Sequence, residues 1–220
     1  MTAINLAVQG KRAYLMADRA ATRVDGSLTW IDSKIIAGQA FPFALAVTGH
    51  MNPHALTRHL NQRGPRNPRA LLAAIADSMP VMIEDAKAEG VPNPQFCVQG
   101  IVWSARTKQP GAFVVSDGRW HQFPAFEPRY VTWAATEVDH PSKALGRPVD
   151  MDDPASFDPR TDGVALMEWQ RRNITFDVMG TGRRVPAIGG GIELATIDRN
   201  GLTVEQIHTW PDEVGKPIVL

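Results

Sequence analysis

The 220-residue chain suits one domain over residues 1–220 and is long enough to bury a sizeable core. Its 23 basic and 23 acidic residues balance, and no basic run is long enough to indicate nucleic acid as a partner. Cys97 lacks an internal disulfide partner, no apolar run approaches the roughly 20 residues of a membrane span, and the N-terminus has no signal-peptide pattern, so we expect a cytoplasmic protein without a membrane partner.

The first fifty residues predict short strands. Apolar runs at 3–9 and 12–18 are separated by a glycine-lysine turn, which is typical of a β-hairpin. Further strands are expected at 27–31 and 42–48. The last of these runs is almost entirely apolar, as expected for a strand that is covered on both faces.

Two helices are predicted next, and an Asn-Pro pair marks the start of each. The first helix should run from Pro53 to about Gln62. The second should begin at Pro68, bury apolar residues at helical spacing and close at Gly90. Pro80 lies inside this second helix, so it should kink the helix or split off its last turns.

Strands return in the second half of the chain, with one further helix among them. The predictions are, in order, a strand at 95–104, a hairpin at 113–121 with an Asp-Gly turn, a strand at 129–135, a loop at 139–161 with at most a short helix at 141–145, a helix at 162–173, and a strand pair at 191–198 and 202–209. Helices in two blocks between antiparallel hairpins predict an α+β fold, in which two antiparallel sheets pack between helical layers.

Three polar residues near the N-terminus could form a nucleophilic site. Thr2 follows Met1 directly, and its small side chain favours removal of Met1, so no long propeptide is required. The freed α-amine, with an ordinary pKa of about 7.7–8.0, could then act as the base for the Thr2 hydroxyl. A nearby Lys34 ammonium would lower the pKa of this amine, and Asp18 would hold Lys34 in place.

Each of these residues has an ordinary interpretation when it is considered alone. A threonine at position 2 is common, Asp18 at a strand end is typical of a turn, and Lys34 is typical of a solvated surface. Their spacing favours the joint interpretation, because Asp18 and Lys34 both fall where a hairpin would return the chain towards the strand that starts at Thr2.

The N-terminal region resembles that of proteasome β-subunits and related bacterial proteasome-like peptidases, which are N-terminal-nucleophile hydrolases. The family motif A-D-x-x-A-T is matched by residues 17–22, a lysine follows at the family's distance, and the ending GGGIELATIDRNG is similar to the family's last strand pair. The resemblance is good over residues 2–50 and traceable beyond them. It implies a four-layer αββα sandwich, with two antiparallel sheets between helical layers.

The resemblance also implies roles for individual residues. Thr2 would be nucleophile and base, with Lys34 and Asp18 completing the catalytic group. The backbone of Thr22 would pair with an extended peptide, and the oxyanion donor would be the N–H of one of two neighbours, Thr48 or Gly49. These roles define a threonine-type peptidase for peptide or protein substrates. The implied protein is a homo-oligomeric ring without a cofactor, and the sequence does not identify any unfoldase partner.

Several positions depart from the family pattern. The usual arginine two residues after the aspartate is replaced by Ala20, with Arg19 one place away. Thr136 is the hydroxyl nearest to the family's supporting serine, and Val185 and Ile188 stand where many members have Asp and Ser. The departures keep open a catalytically degenerate binding or assembly subunit. A non-peptidase amidase acting on a small molecule is a further alternative.

No metal or phosphate site is predicted. His50 and His54 are four residues apart, but a helix start separates them and no acidic ligand follows at useful spacing. The glycine-rich segments 180–182 and 189–191 complete no phosphate-binding motif, so tight turns are expected there. Cys97 is expected in the core.

Overall fold

The structure is a computed structural model that describes residues 2–23, 25–50, 52–119, 123–151, 153, 155–177, 182 and 184–220. These residues form four helices, which are α1 (Pro53–Arg63), α2 (Pro68–Ala88), α3 (Pro141–Leu145) and α4 (Asp162–Asn173). The strands are β1 (Ile4–Gln9), β2 (Arg12–Asp18), β3 (Ala20–Thr22), β4 (Leu28–Ile31), β5 (Ile36–Ala37), β6 (Phe43–Gly49), β7 (Phe96–Ser104), β8 (Gln109–Ser116), β9 (Arg129–Val131), β10 (Trp133–Ala135), β11 (Thr175–Asp177), β12 (Arg184–Pro186), β13 (Ile192–Asp198) and β14 (Gly201–His208).

Most strands belong to two five-stranded antiparallel sheets. The first sheet has the order β10-β1-β2-β13-β14, and the second has the order β5-β6-β7-β8-β9. Two small strand pairs, β3-β4 and β11-β12, complete the described β-structure. The chain is therefore α+β with antiparallel sheets, as the order of predicted elements indicated.

Alternating side chains direct the packing of the sheets. Along β6, Leu45 packs with Leu71 of α2, whereas the next residue, Ala46, packs with Ile4 of the first sheet. The side chains of successive residues in a strand point to opposite faces of the sheet, so an apolar strand such as β6 contributes to two cores. On the first sheet, Met16 faces away from that shared cluster and packs with Met167 of α4.

Both long central helices begin where the sequence predicts. The Asn52 side chain accepts hydrogen bonds from the N–H groups of His54 and Ala55 at the start of α1. The Asn67 side chain does the same for Ala70 at the start of α2. Helix α2 continues unbroken to Ala88, so the split that was one of two outcomes predicted for Pro80 does not occur.

Two strand predictions near the middle of the chain need correction. The strand predicted at 129–135 is divided, because β9 belongs to the second sheet and β10 to the first. The chain crosses between the sheets at Thr132, whose carbonyl accepts the N–H of Val8 at 2.8 Å. The hairpin predicted at 113–121 is wrong in its described part, because β8 pairs with β7 and β9 instead. Trp120 and His121 lie outside the described residues.

None of the four described helices has both the length and the apolar character that crossing a membrane requires.

Candidate active site

The β1-β2 hairpin brings Thr2 beside Asp18. Ile4 lies opposite Ala17 in this hairpin, so the residues just before β1 meet the end of β2. The Ala3 N–H donates to Asp18 Oδ1 at 2.9 Å, and the Asp18 N–H donates to the Ala3 carbonyl at 3.3 Å. The hairpin therefore returns the predicted carboxylate to the strand that starts at Thr2.

Lys34 joins these two residues from the segment between β4 and β5. Its Nζ donates to both carboxylate oxygens of Asp18 at 2.9 Å and to Thr2 Oγ1 at 3.2 Å. Thr2 and Lys34 are each 8 % exposed, and Asp18 is fully buried. The structure thus brings together the three residues that the sequence predicted as the catalytic group.

Backbone donors complete the surroundings of the Asp18 carboxylate. Besides Lys34 and the Ala3 N–H, the N–H groups of Ala20 and Gly189 donate to Oδ2 at 3.2 and 3.4 Å. A buried carboxylate is costly unless it is paired and hydrogen-bonded. These hydrogen bonds hold the Asp18 carboxylate in the orientation in which it binds Lys34.

Burial lowers the pKa of Lys34 below the ordinary lysine value of 10.5, and the Asp18 carboxylate opposes this effect. Burial is the larger of the two causes. A positive charge held in contact with Thr2 Oγ1 would favour the neutral form of an amine on the same residue.

A pocket of about 150 Å³ opens onto this group. It is lined by Thr2, Ala20, Ala21, Thr22, Trp30, Lys34, Val47, Gly49 and Pro53. Strands β3 and β6, which belong to different sheets, both contribute to its walls. Trp30, Lys34 and Pro53 also line a neighbouring pocket of about 550 Å³. An extended chain between β3 and β6 would thus meet both Thr2 and a larger adjoining space.

The two oxyanion candidates differ in their positions. Gly49, at the end of β6, lines the pocket and has a φ of +94°. A Cβ on Gly49 would lie 1.9 Å from the carbonyl oxygen of Gln95, so the backbone approaches too closely for any side chain. Thr48 lies opposite Cys97 within the β6-β7 ladder, and its buried hydroxyl makes no hydrogen bond with any residue that the structure describes.

The possible supporting residues Thr136 and Arg19 are engaged elsewhere. The Thr136 hydroxyl accepts the Ile4 N–H at 2.9 Å and donates to the Ile4 carbonyl at 3.2 Å. The Arg19 side chain donates to Gln206 and lies 4.0 Å from Glu193. Thr136 thus contacts β1, and Arg19, which directly follows β2, contacts residues of β13 and β14.

Apolar packing occupies the two family positions that lack their usual polar residues. Val185 is buried in β12, and Ile188 is fully buried in the cluster that contains Met16 and Met167. The described surroundings of Asp18 receive their polar support from backbone N–H groups instead.

The loop containing Gly189 is the part of the site that the sequence reasoning missed. From the sequence, residues 189–191 predict only a tight turn. A Cβ on Gly189 would lie 2.7 Å from Asp212 Oδ2 and 3.0 Å from Arg171 Nη1, so this glycine permits a close approach. The run of three glycines in the sequence indicates a close approach at this loop, but it does not show which side chains approach the backbone there.

His50 and His54 were considered as metal ligands because of their spacing in the sequence. Among the described residues, no group of three or more His, Cys, Asp or Glu side chains is placed to hold a metal ion. The His50 ring accepts the N–H of Gln95 at 3.1 Å, and His54 lines the larger pocket.

Comparison with known proteins identifies the fold. No protein-family model and no curated protein matches the chain. Among solved structures, it is similar to the Gly-1 mutant of Anbu from Hyphomicrobium sp. strain MC1, with a TM-score of 0.63 and 14% identity over 97% of this chain and 89% of that chain. Anbu is a bacterial proteasome-like protein of the N-terminal-nucleophile type. At this identity the likeness shows the fold alone, which is proteasome-like.

Proposed function

We propose that the protein is an N-terminal threonine hydrolase that cleaves amide bonds in peptides or proteins after Met1 has been removed. The observation that carries this proposal is the contact of one ammonium, Lys34 Nζ, with both Thr2 Oγ1 and the Asp18 carboxylate. Met1 lies outside the described residues. While it is attached, the Thr2 nitrogen is an amide and not a base.

In the proposed reaction, the free α-amine of Thr2 takes the hydroxyl proton, directly or through water, as Oγ1 attacks the substrate carbonyl carbon. The resulting ammonium returns that proton to the leaving amine, and an ester to Thr2 remains. Water, deprotonated by the same amine, then hydrolyses the ester. Lys34 keeps its charge throughout, which lowers the pKa of the amine, and Asp18 holds Lys34.

We further propose that the substrate backbone lies between β3 and β6 and pairs with Thr22. Gly49 is the favoured oxyanion donor over Thr48, because Gly49 lines the pocket that contains Thr2. An oxyanion-hole hydrogen bond of this kind typically contributes about 2.7–4 kcal/mol to transition-state stabilisation.

Several wider features belong to the same proposal. Residues 1–220 would form one domain with layers in the order α, β, β, α, which is supported by the core cluster shared between the two sheets and by the helices that pack outside it. The resemblance supports a homo-oligomeric ring that needs no cofactor, and the single cysteine fits a cytoplasmic location.

The alternative is a proteasome-like subunit that binds or assembles without catalysis. Its support is the apolar packing of Val185 and Ile188 and the engagement of the Thr136 hydroxyl by Ile4. This alternative leaves the close contact of Lys34 with Thr2 without a purpose, so we rank it second.

The decisive experiment measures intact mass before and after incubation with a peptide epoxyketone, a reagent that needs a hydroxyl and a free α-amine on one residue. We expect a starting mass without Met1 and an adduct that maps to Thr2. Thr2→Ala and Lys34→Met should abolish the adduct and peptide turnover. Thr107→Ala, in an exposed turn, should change neither.

Loss of Met1 without an adduct, combined with turnover that survives Thr2→Ala, would rule out the proposed nucleophile. Loss of Met1 with neither adduct nor turnover on peptide and small amide substrates would establish the non-catalytic alternative. A prepared protein that retains Met1 would first be treated with methionine aminopeptidase and then measured again.

A further inference from the structure

A buried ion pair lies behind the candidate active site. Arg171, in the last turn of α4, binds Asp212 through two hydrogen bonds of 2.7 Å, and the two side chains are 4 % and 2 % exposed. The Arg171 guanidinium also stacks on Trp210 at 4.6 Å. The desolvation cost of burying two charges is about as large as the attraction that a good ion pair returns. A pair of this kind is therefore weak evidence for stability by itself, and its other contacts show what it does.

Those contacts hold the loop at residues 188–190 from both sides. Arg171 Nη1 donates to the Ile188 carbonyl at 2.9 Å, and Asp212 Oδ2 accepts the Gly190 N–H at 2.7 Å. Gly189 lies between these two fixed points, and its own N–H donates to Asp18 Oδ2 at 3.4 Å. The pair is thus two hydrogen bonds away from the carboxylate that binds Lys34.

The fit between the loop and the ion pair leaves no room for a side chain. A Cβ on Gly189 would lie within 3.0 Å of both members of the pair. On the other side of the loop, the Arg19 N–H donates to the Gly189 carbonyl at 3.1 Å. The Gly189 peptide is therefore clamped between the ion pair and the end of β2.

We propose that Arg171 and Asp212 are positioning residues of the candidate active site, which hold the 188–190 loop against Asp18. The loop would keep the Asp18 carboxylate directed at Lys34 and exclude water from the contact between Asp18 and Lys34. The Gly189 N–H would give Asp18 a hydrogen bond, which the apolar side chains of Val185 and Ile188 cannot give. The catalytic consequence rests on the proposed function, whereas the placement of the loop does not.

The test replaces the pair by apolar residues of similar size, Arg171→Met with Asp212→Leu. Such a replacement of a buried ion pair is often neutral or stabilising, so we expect a folded protein. The matched control is Glu205→Gln, which breaks the exposed ion pair between Arg160 and Glu205. Circular dichroism and the thermal midpoint check folding.

Three readouts follow. Water entering beside Asp18 should relieve the burial that lowers the pKa of Lys34, so its ¹³Cε titration midpoint should rise towards that of an exposed lysine. Epoxyketone labelling of Thr2 should slow between about 10-fold and 100-fold, as expected for a displaced reacting group. Peptide turnover should lose kcat with little change in KM. The Glu205→Gln control should change none of the three.

A folded double variant whose Lys34 midpoint and labelling rate equal those of the wild type would overturn the inference. If the double variant does not fold, Asp212→Asn, which keeps the shape of the side chain but weakens its hydrogen bonds with Arg171 and Gly190, is judged by the same readouts. If wild-type protein without Met1 shows neither labelling of Thr2 nor turnover, the proposed function fails, but the Lys34 midpoint still decides whether the pair positions the loop.

Discussion

At the scale of single residues, burial rather than charge pairing dominates the titration of Lys34. The lysine contacts Asp18 directly, yet desolvation is the larger effect and lowers its pKa. We predict by ¹³C NMR a midpoint below 10.5 for Lys34. A midpoint at or above 10.5 would contradict this assignment.

The lowered pKa of Lys34 also predicts how the stability of the protein changes with pH. Because the folded pKa of Lys34 lies below its unfolded value, the unfolded chain binds more protons between the two. The contribution of Lys34 to the free energy of unfolding is therefore fully present above pH 10.5, and it is lost as the pH falls through the folded pKa. Urea unfolding across this window should show the free energy of unfolding rising with pH. Lys34→Met should remove that part of the rise.

A second prediction at this scale concerns Gly49. An alanine there would place its Cβ 1.9 Å from the Gln95 carbonyl oxygen, at a φ of +94°. We predict that Gly49→Ala lowers the free energy of unfolding by about 3 kcal/mol or more. Gly64, with a φ of +56° and open space around it, is the matched control, and Gly64→Ala should cost about 1–2 kcal/mol. Equal costs in urea unfolding would show that β6 and β7 can separate at this end.

At the scale of elements, local signals set the helix starts but do not predict how α2 tolerates its proline. Asn-Pro pairs start α1 and α2 where expected, because their side-chain caps and ring geometry act within one turn. Pro80 removes one backbone hydrogen bond, yet α2 continues through it with Met79 and Met82 buried in the core. Apolar burial on both sides of the proline outweighs its local cost.

We therefore predict that Pro80→Ala stabilises the protein. An interior proline costs about 3 kcal/mol in a helix, and the extra freedom of alanine in the unfolded chain offsets about 1 kcal/mol of the gain. A rise of about 1–2 kcal/mol in the free energy of unfolding should result. Val81→Ala, at a neighbouring exposed position of α2, should stay within about 0.5 kcal/mol. A loss of stability on Pro80→Ala would mean that the backbone there is already suited to proline.

At the scale of the whole molecule, the cluster between the two sheets protects Cys97. The thiol is fully buried beside residues of both sheets, and burial raises its pKa to about 12. Only thiolate reacts readily, so native Cys97 should resist a thiol reagent. We predict that reactivity appears at the same urea midpoint as the loss of circular dichroism. Thr107→Cys should add a thiol that reacts at once, and a Cys97 that reacts well before unfolding would indicate local separation of the sheets.

The sequence by itself determined the local features of this protein. The hairpin at β1-β2, the starts of α1 and α2, and helix α4 follow from turn residues, caps and apolar periodicity, which act over a few residues. The grouping of Thr2, Asp18 and Lys34 was also predictable, because a hairpin and one further segment bring them together. The division of residues 129–135 between two sheets was not, since the same apolar pattern suits either sheet.

Only the tertiary structure decided what surrounds the site. Thr136 offered a hydroxyl in the sequence, but the β1-β10 pairing directs that hydroxyl to Ile4. Gly189, Arg171 and Asp212 lie far apart along the chain and meet because α4, the 188–190 loop and the C-terminal segment pack together. Such contacts depend on packing between distant segments, and no local pattern of residues encodes which partners meet.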